Sequence, residues 1–131
     1  INDPDSFIEL LKDKTLDDFK IDRSDVNEIA NKYFTAWNNQ DLSELRNLFD
    51  KNIVLKDWDI HEFGIENVLK ANSNIFKNFP SIKIEILSMA ISSKKVMCEI
   101  KVLINEKETI DVVDILEIEN NLIQSIKAFK C

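Results

Sequence analysis

The chain has 131 residues, with one glycine and two prolines, and its 24 acidic and 17 basic side chains give a formal net charge of −7. This length favours one domain around a single core, and the negative charge argues against nucleic acid or an anionic membrane as a partner. No apolar stretch approaches the roughly 18 residues of a membrane-spanning helix, so we expect no membrane partner. The two cysteines fit reduced thiols better than a disulfide framework, so we expect a cytoplasmic protein.

The first 22 residues are interpreted as an N-terminal helical extension, and residues 23–131 as the main domain. Within the extension, Asp3 as a cap and Pro4 at the first helical position predict a short helix. The sequence shows no repeat, low-complexity tract or other boundary.

Two further helices are predicted before the first strand. Apolar residues recur at helical spacing from Val26 to Trp37, which predicts a long helix from Asp25 to about Asn38. After a polar break, Asp41 can cap a shorter helix over LSELRNLF.

The rest of the chain predicts one strand, one helix and four more strands. The run IVLKDW, residues 53–58, predicts a strand, and Gly64 precedes a helical stripe that Pro80 ends. Beyond it the period changes to 2 in four runs, IKIEILSMAI, VMCEIKVLI, TIDVVDILEI and LIQSIKAF. Their short polar breaks suit antiparallel neighbours, because parallel strands need longer crossovers. The order predicts an α+β fold in which helices cover one face of a curved antiparallel sheet.

Common cofactor and metal motifs are absent from the sequence. It contains no glycine-rich phosphate loop and no C-x-x-C or H-E-x-x-H pattern, and its single histidine, His61, cannot form a multi-histidine site. We interpret His61 as a solvated loop residue rather than a ligand or base. Cys98 falls in a strand register and Cys131 is the last residue, which suits reduced thiols. We expect no metal and no cofactor.

Three ionisable side chains fall in apolar rows of three different elements. In TIDVVDILEI, Asp114 shares its face with Val112 and Leu116, because side chains on a strand alternate faces. Asp57 is in phase with the apolar residues of IVLKDW, and Tyr33 lies in the apolar stripe of the long helix. Buried carboxyls are costly unless they are hydrogen-bonded, paired or protonated. The pattern predicts a shared pocket in which one carboxylate is a base and the other, kept neutral, donates a hydrogen bond beside Tyr33.

Each of these side chains also has an ordinary structural interpretation. Asp57 would lie in water at a strand end, a bulge would turn Asp114 to solvent, and Tyr33 would be a core aromatic residue. Asp111 is out of phase with Asp114 and is expected on the opposite face, without a catalytic role.

Aromatic residues supply the remaining pocket candidates. The predicted substrate-binding residues are Trp37, Trp58, Phe34 and Phe63. Phe76 and Phe79 can help to close the pocket, although core packing is the alternative for aromatic residues at helical spacing.

Five segments together carry a family resemblance: YFTAWNNQDLSELRNLF, IVLKDW, GIENVLKANSNIF, VVDILEI and LIQSIKAF. From about Val26 onward the chain resembles the NTF2-like superfamily, in particular its SnoaL-like and ketosteroid-isomerase-like branch. The resemblance implies a cone-shaped α+β fold with helices packed on a strongly curved antiparallel sheet and a deep apolar pocket between them.

The resemblance also implies a chemistry. In ketosteroid isomerases a tyrosine and a protonated aspartic acid form the oxyanion hole, and a second aspartate moves the proton. These roles fall on Tyr33, Asp114 and Asp57. Trp58 stands where the family commonly has proline, which narrows the pocket or reshapes the loop after the strand and argues against a steroid.

Two functions therefore remain open. The first is a cofactor-independent isomerase or cyclase that moves a proton alpha to a carbonyl of a small hydrophobic molecule. The alternative is a non-catalytic NTF2-like module for dimerisation or ligand binding, because one scaffold carries unrelated functions.

The second face of the predicted sheet bears on assembly. Met97, Leu103, Val113 and Ile115 would leave an apolar patch on it that is larger than monomers usually expose. We therefore expect a homodimer formed through the sheet.

Overall fold

Three helices pack on a six-stranded sheet in the computed structural model, which describes residues 17–131, with side chains from residue 25 onward. The elements are α1 (Asp17–Asn38), α2 (Leu42–Leu48), β1 (Phe49–Lys56), β2 (His61–Phe63), α3 (Ile65–Asn78), β3 (Lys83–Ser92), β4 (Lys95–Leu103), β5 (Thr109–Glu119) and β6 (Leu122–Lys130). No helix in this described range is long and apolar enough to cross a membrane. The α+β architecture is as predicted, and the short helix predicted at Asp3 and Pro4 lies outside the described residues.

The long helix α1 starts earlier than its sequence pattern predicts. It begins at Asp17 rather than at Asp25, and it ends at Asn38 as expected. No glycine or proline separates Asp17 from Asp25, so nothing in that segment interrupts helical hydrogen bonding. The predicted boundary between residues 22 and 23 falls inside this continuous helix, and the division of the chain there stays a prediction.

The two shorter helices have clear start signals. The side chain of Asp41 caps α2 by accepting a hydrogen bond from the Glu44 backbone N–H at 3.1 Å. Gly64 precedes α3 with a φ of 91°, a value that glycine adopts without the steric penalty of a side chain. Both helices end one residue before their predicted ends.

The four strands predicted from the period-2 runs form an antiparallel meander. Strands β3, β4, β5 and β6 are neighbours in chain order. Asn120 and Asn121 join the last two with φ values of 55° and 62°, as a tight hairpin turn requires. Short polar breaks therefore identified the connections correctly.

The other edge of the sheet differs from the sequence prediction. Strand β1 lies parallel to β6 and antiparallel to β2, so the sheet is mixed, with the order β2-β1-β6-β5-β4-β3. Strand β1 ends at Lys56 rather than at Trp58, and β2 has only three residues, too few to show a period. Parallel pairing joins segments far apart in sequence and leaves no local turn signal.

One face of the sheet is buried under the helices and the other is partly open. On β5, Val112, Asp114 and Leu116 are buried, whereas Val113 and Ile115 on the other face are half-buried. Helix α1 packs on β3, β4 and β5, and α3 packs on β1 and β2, with α2 between the two helices. This alternation determines which side chains can reach a space between the helices and the sheet.

The α2 cap is a first point to test. Replacing Asp41 with alanine removes the acceptor for the Glu44 N–H and should lower the free energy of unfolding by about 1 kcal/mol. Urea unfolding would measure this loss. The matched control is Ser43→Ala, an exposed position of the same helix, and an equal loss in both variants would contradict the capping role.

Candidate functional site

A cavity of about 310 Å³ lies between the inner face of the sheet and helices α1 and α3. Its wall is mostly apolar, with isoleucine and valine side chains from the central strands. The carboxyls of Asp57, Asp59 and Asp114 interrupt this wall. Tyr33 and Asn72 add a hydroxyl and an amide. A mostly apolar cavity with a few polar groups is the usual form of a small-molecule site.

Asp114 is the most deeply buried of the three carboxyls. Its side chain is 5% exposed, and it pairs in regular register with Cys98 on β4, so no bulge turns it toward solvent. Among the described residues, its carboxyl has no hydrogen bond or ion pair. No side-chain oxygen of these residues is fully enclosed without a partner, so the Asp114 oxygens keep some surface open to the cavity. Burial first, and then the charge of Asp57, raise the pKa of Asp114 to about 7. Near neutral pH this carboxyl is therefore partly protonated and can donate a hydrogen bond into the cavity.

Tyr33 reaches the same cavity from α1. Its ring is buried, packed edge-on against Phe34 at 5.0 Å between centroids and tilted against Phe49 at 6.1 Å. Burial, then Asp114, then Cys98 raise the pKa of Tyr33 well above its ordinary value. The hydroxyl therefore stays protonated and is available as a donor.

Cys98 lies beside this pair without lining the cavity. Burial and the neighbouring Asp114 raise the pKa of Cys98 to about 12. The thiol therefore stays protonated, unlike the thiolate of a reactive cysteine. Both Cys98 and the exposed Cys131 are free cysteines.

Asp57 occupies a turn rather than the predicted strand. It lies one residue beyond the end of β1, and its Oδ1 accepts hydrogen bonds from the backbone N–H groups of Asp59 at 2.7 Å and Ile60 at 2.6 Å. Its own N–H donates to the Ile60 carbonyl at 2.8 Å. Aspartate favours such a local turn, because its side chain replaces a backbone acceptor. This arrangement leaves Oδ2 as the carboxyl oxygen that can act on a ligand.

The four aromatic residues predicted for substrate binding lie in three environments: the cavity, the core and the exposed surface. Trp37 and Trp58 line the cavity. Phe34 is buried in the core behind Tyr33, and Phe63 is an exposed side chain of β2. Phe34 and Phe63 therefore lie outside the cavity lining, contrary to their predicted placement.

The rim of the cavity is formed in part by Trp58. This side chain is 43% exposed, and the ammonium group of Lys130 lies 5.7 Å from the centroid of its ring. Phe79 also lines the cavity, whereas Phe76 packs against Trp37 outside the lining, at 5.1 Å between centroids. His61 is exposed on β2 and also lies outside the lining.

Asn72 is a polar residue of the cavity that the sequence reasoning missed. Its Oδ1 accepts a hydrogen bond from the Trp37 indole N–H at 3.1 Å, and its amide donates to the Val68 carbonyl at 3.0 Å. The side chain is buried. The sequence pattern could have identified it, because residue 72 lies in phase with Val68 and Phe76 and is therefore a polar residue on the apolar stripe of α3.

The burial of Asp114 predicts a specific dependence of stability on pH. Its folded pKa of about 7 exceeds the ordinary value of 3.8, so the folded protein binds this proton more tightly than the unfolded chain. Stability contributed by the group must therefore fall as pH rises through this interval. The Asp114→Asn variant should not show that loss. The difference in free energy of unfolding between the variant and the parent should therefore grow, in favour of the variant, by on the order of 4 kcal/mol across the interval.

Urea unfolding at a series of pH values would measure this advantage. Asp111→Asn, an exposed position on the opposite face of β5, is the matched control and should show no such growth. An Asp114→Asn variant that is less stable than the parent above neutral pH would mean that the ionised carboxyl stabilises the fold.

Comparison with known proteins identifies the family. A family model for the SnoaL-like domain matches residues 30–126. No curated protein matches the chain. Many solved structures do match it.

Three of those structures illustrate the likeness. A candidate ketosteroid isomerase from Kribbella flavida has a TM-score of 0.73 at 15% identity, over 82% of this chain and 78% of that one. A candidate polyketide cyclase from Sinorhizobium meliloti has a TM-score of 0.72 at 20% identity, over 77% of this chain and 93% of that one. A protein of unknown function with a cystatin-like fold from Methylobium petroleophilum has a TM-score of 0.75 at 14% identity, over 83% of this chain and 77% of that one.

At these identities the structural likeness establishes the fold alone, which is the cystatin-like fold of NTF2-like proteins. The family model covers most of the chain, including Tyr33, Asp57 and Asp114. The chain belongs to the SnoaL-like family.

Proposed function

We propose that this protein binds a small hydrophobic carbonyl compound and moves a proton alpha to the carbonyl, as an isomerase or cyclase without a cofactor. The observation that carries the proposal is the buried, unpartnered carboxyl of Asp114, which shares a cavity with Tyr33 and Asp57. The proposal is also supported by two of the similar structures, which are named as a candidate isomerase and a candidate cyclase.

The three side chains would divide the reaction between them. Asp57 Oδ2 takes the alpha proton and the carbon–hydrogen bond breaks. Its electron pair forms the new carbon–carbon double bond, and the π pair of the carbonyl moves to the oxygen to give an enolate. Tyr33 and protonated Asp114 donate hydrogen bonds to that oxygen. An isomerase then returns the proton from Asp57 to a different carbon. In a cyclase the enolate carbon attacks a second carbonyl of the same ligand, the π bond of that carbonyl breaks, and its oxygen takes the proton from Asp57.

The apolar wall supports this chemistry in two ways. It excludes water, which strengthens hydrogen bonds to a developing charge. The cavity volume of about 310 Å³ is also at the lower end of the range for ligand pockets, about 300–1,000 Å³, which suits a ligand smaller than a steroid.

The hydrogen bonds of Asp57 favour a second candidate function. Because Oδ1 already accepts two backbone N–H groups, Asp57 can serve as the residue that shapes the turn at the cavity rim. In that case the protein is a ligand-binding module that moves no proton.

Exchange of the alpha proton separates the two functions. If Asp57 is the base, solvent deuterium exchange at the alpha carbon of a bound ketone should fall by about two to four orders of magnitude in Asp57→Asn. The asparagine Oδ1 can still accept the two turn hydrogen bonds, so ligand binding should survive. Exchange in Tyr33→Phe should also be slower than in the parent, because this variant lacks one of the two hydrogen-bond donors to the enolate oxygen and keeps only Asp114. NMR would follow exchange, and titration would follow binding.

A matched control is available at the start of β1. Asp50 makes a similar local hydrogen bond to the Asn52 N–H at 2.8 Å and lies outside the cavity, so Asp50→Asn should exchange at the parent rate. Equal exchange in the parent and in Asp57→Asn would remove Asp57 as the base. Absence of exchange in the parent, with a ketone that binds, would support the ligand-binding module.

We also propose that two copies associate through the open face of the sheet. The outer patch consists of half-buried and exposed apolar side chains: Met97, Leu103, Val113, Ile115 and Phe129. Basic and acidic side chains border the patch as two ion pairs, Lys101–Asp111 and Lys95–Glu117, each at 3.6 Å. A second copy related by a two-fold axis can therefore place basic side chains against acidic ones while both patches leave water.

The mass in solution tests this assembly. Light scattering should give twice the mass of one chain for the parent, and Ile115→Glu should give the mass of one chain, because a buried unpaired charge opposes association. Asn78→Glu adds the same charge at the exposed end of α3 and should leave the dimer intact. A parent that scatters as a single chain would contradict the proposal.

A further inference from the structure

The charged residues that line the cavity are all acidic. They are Asp57, Asp59 and Asp114, and the described lining contains no lysine, arginine or histidine. The whole chain also carries a net charge of −7. The acidic lining repels an anionic ligand and attracts a cation, and the ammonium of Lys130 lies at the rim, outside the lining.

One of these carboxyls has the setting of a ligand contact. Asp114 is 5% exposed, lines the cavity, and has no hydrogen bond or ion pair with the described residues. A buried acid without a partner is unfavourable when ionised, because it has lost water and gained nothing in return. An ammonium group that entered the cavity would supply the missing charge and hydrogen-bond donors.

Aromatic rings form a second feature that suits a cation. Tyr33, Trp37, Trp58 and Phe79 all line the cavity. The faces of such rings attract ammonium groups, most strongly for tryptophan. At the rim this attraction is already visible, since the ammonium of Lys130 lies 5.7 Å from the centre of the Trp58 ring.

We propose that the cavity binds a protonated hydrophobic amine, whose ammonium group donates a hydrogen bond to the Asp114 carboxylate while its apolar body packs against the isoleucine and valine wall. This binding goes beyond the proposed proton transfer, although both use the same cavity and the same residue, Asp114. An amine of suitable size would occupy the space that a ketone needs, so it would also compete with a carbonyl ligand.

The two ligand classes need opposite protonation states of Asp114. A carbonyl oxygen needs the protonated acid as a donor, whereas an ammonium needs the ionised carboxylate. The titratable groups that face Asp114 or share its cavity are Tyr33 on α1, Cys98 on β4, and Asp57 and Asp59 after β1. Tyr33 and Cys98 stay neutral because burial raises the pKa of both, whereas the pKa of Asp114 is raised to about 7.

Three probes with one ring and different head groups test the proposal: cyclohexylmethylamine, cyclohexylmethanol and cyclohexanecarboxylate. Titration calorimetry on the parent above neutral pH should give an amine affinity at least about tenfold higher than that of the alcohol, with no measurable binding of the carboxylate. The amine affinity should rise as pH increases through about 7, while the alcohol affinity stays constant or falls.

Asp114→Asn keeps the shape of the side chain and removes its charge. The amine should then lose its advantage over the alcohol, and its affinity should no longer depend on pH. Asp111→Asn, on the opposite face of the same strand, should keep the parent preference. The pH profile of the parent serves as an independent test if the Asp114 variant folds poorly.

Equal binding of amine and alcohol by the parent would overturn the proposal, as would no amine binding at millimolar concentration. An amine preference that survives in Asp114→Asn would remove Asp114 as the counterion. Ketone exchange can succeed or fail independently of these results, so the failure of one proposal is distinguishable from the failure of the other.

Discussion

The buried carboxyl of Asp114 is the constraint on which the rest of the site depends. The unbroken β4–β5 ladder holds this residue on the inner face of the sheet, opposite Cys98 and among apolar neighbours. The same low-dielectric surroundings raise the pKa values of Asp114, Tyr33 and Cys98. A chain that needed stability alone would have an apolar residue at this position, because an unpaired buried acid is unfavourable near neutral pH.

The cavity around this acid exists because α1 and α3 are held at defined places above the sheet. The Trp37 indole on α1 donates to Asn72 on α3, and the Trp37 ring packs edge-on against Phe76 of the same helix. Asn72 is in turn fixed by its bond to the Val68 carbonyl. A buried polar group with these partners specifies one spacing of the helices, whereas apolar contacts alone would tolerate sliding.

Local patterns in the sequence predicted the parts of the structure that local physics determines. Strand alternation placed Asp114 on the buried face of β5, and helical spacing placed Tyr33 on the buried stripe of α1. The parallel pairing of β1 with β6 left no such pattern, because it joins distant segments. The alternation of apolar and polar residues continues for two residues beyond the end of β1, and it therefore predicted that Asp57 lies in the strand. Its side chain instead accepts the backbone hydrogen bonds of a turn.

The aromatic residues show a different limit. Successive residues of a helix point about 100° apart, so Phe34 cannot share the direction in which Tyr33 reaches the cavity. Its burial could be predicted from the apolar stripe, whereas the choice between core and cavity depended on where the sheet lies. Asn72 could have been identified by the reasoning that selected Asp114, since both are polar residues in apolar rows.

Because a shared fold does not determine activity, the polar residues of the cavity must decide which ligand this protein takes. The two proposals give Asp114 different roles: protonated, it would donate to a carbonyl oxygen, and ionised, it would pair with an ammonium. Proton binding and ligand binding at this carboxyl are therefore linked. A carbonyl ligand must raise the pKa of Asp114 further above about 7, and an amine must lower it toward its ordinary value. The direction of proton uptake or release on binding consequently reports the chemical class of the ligand, even where its identity is unknown.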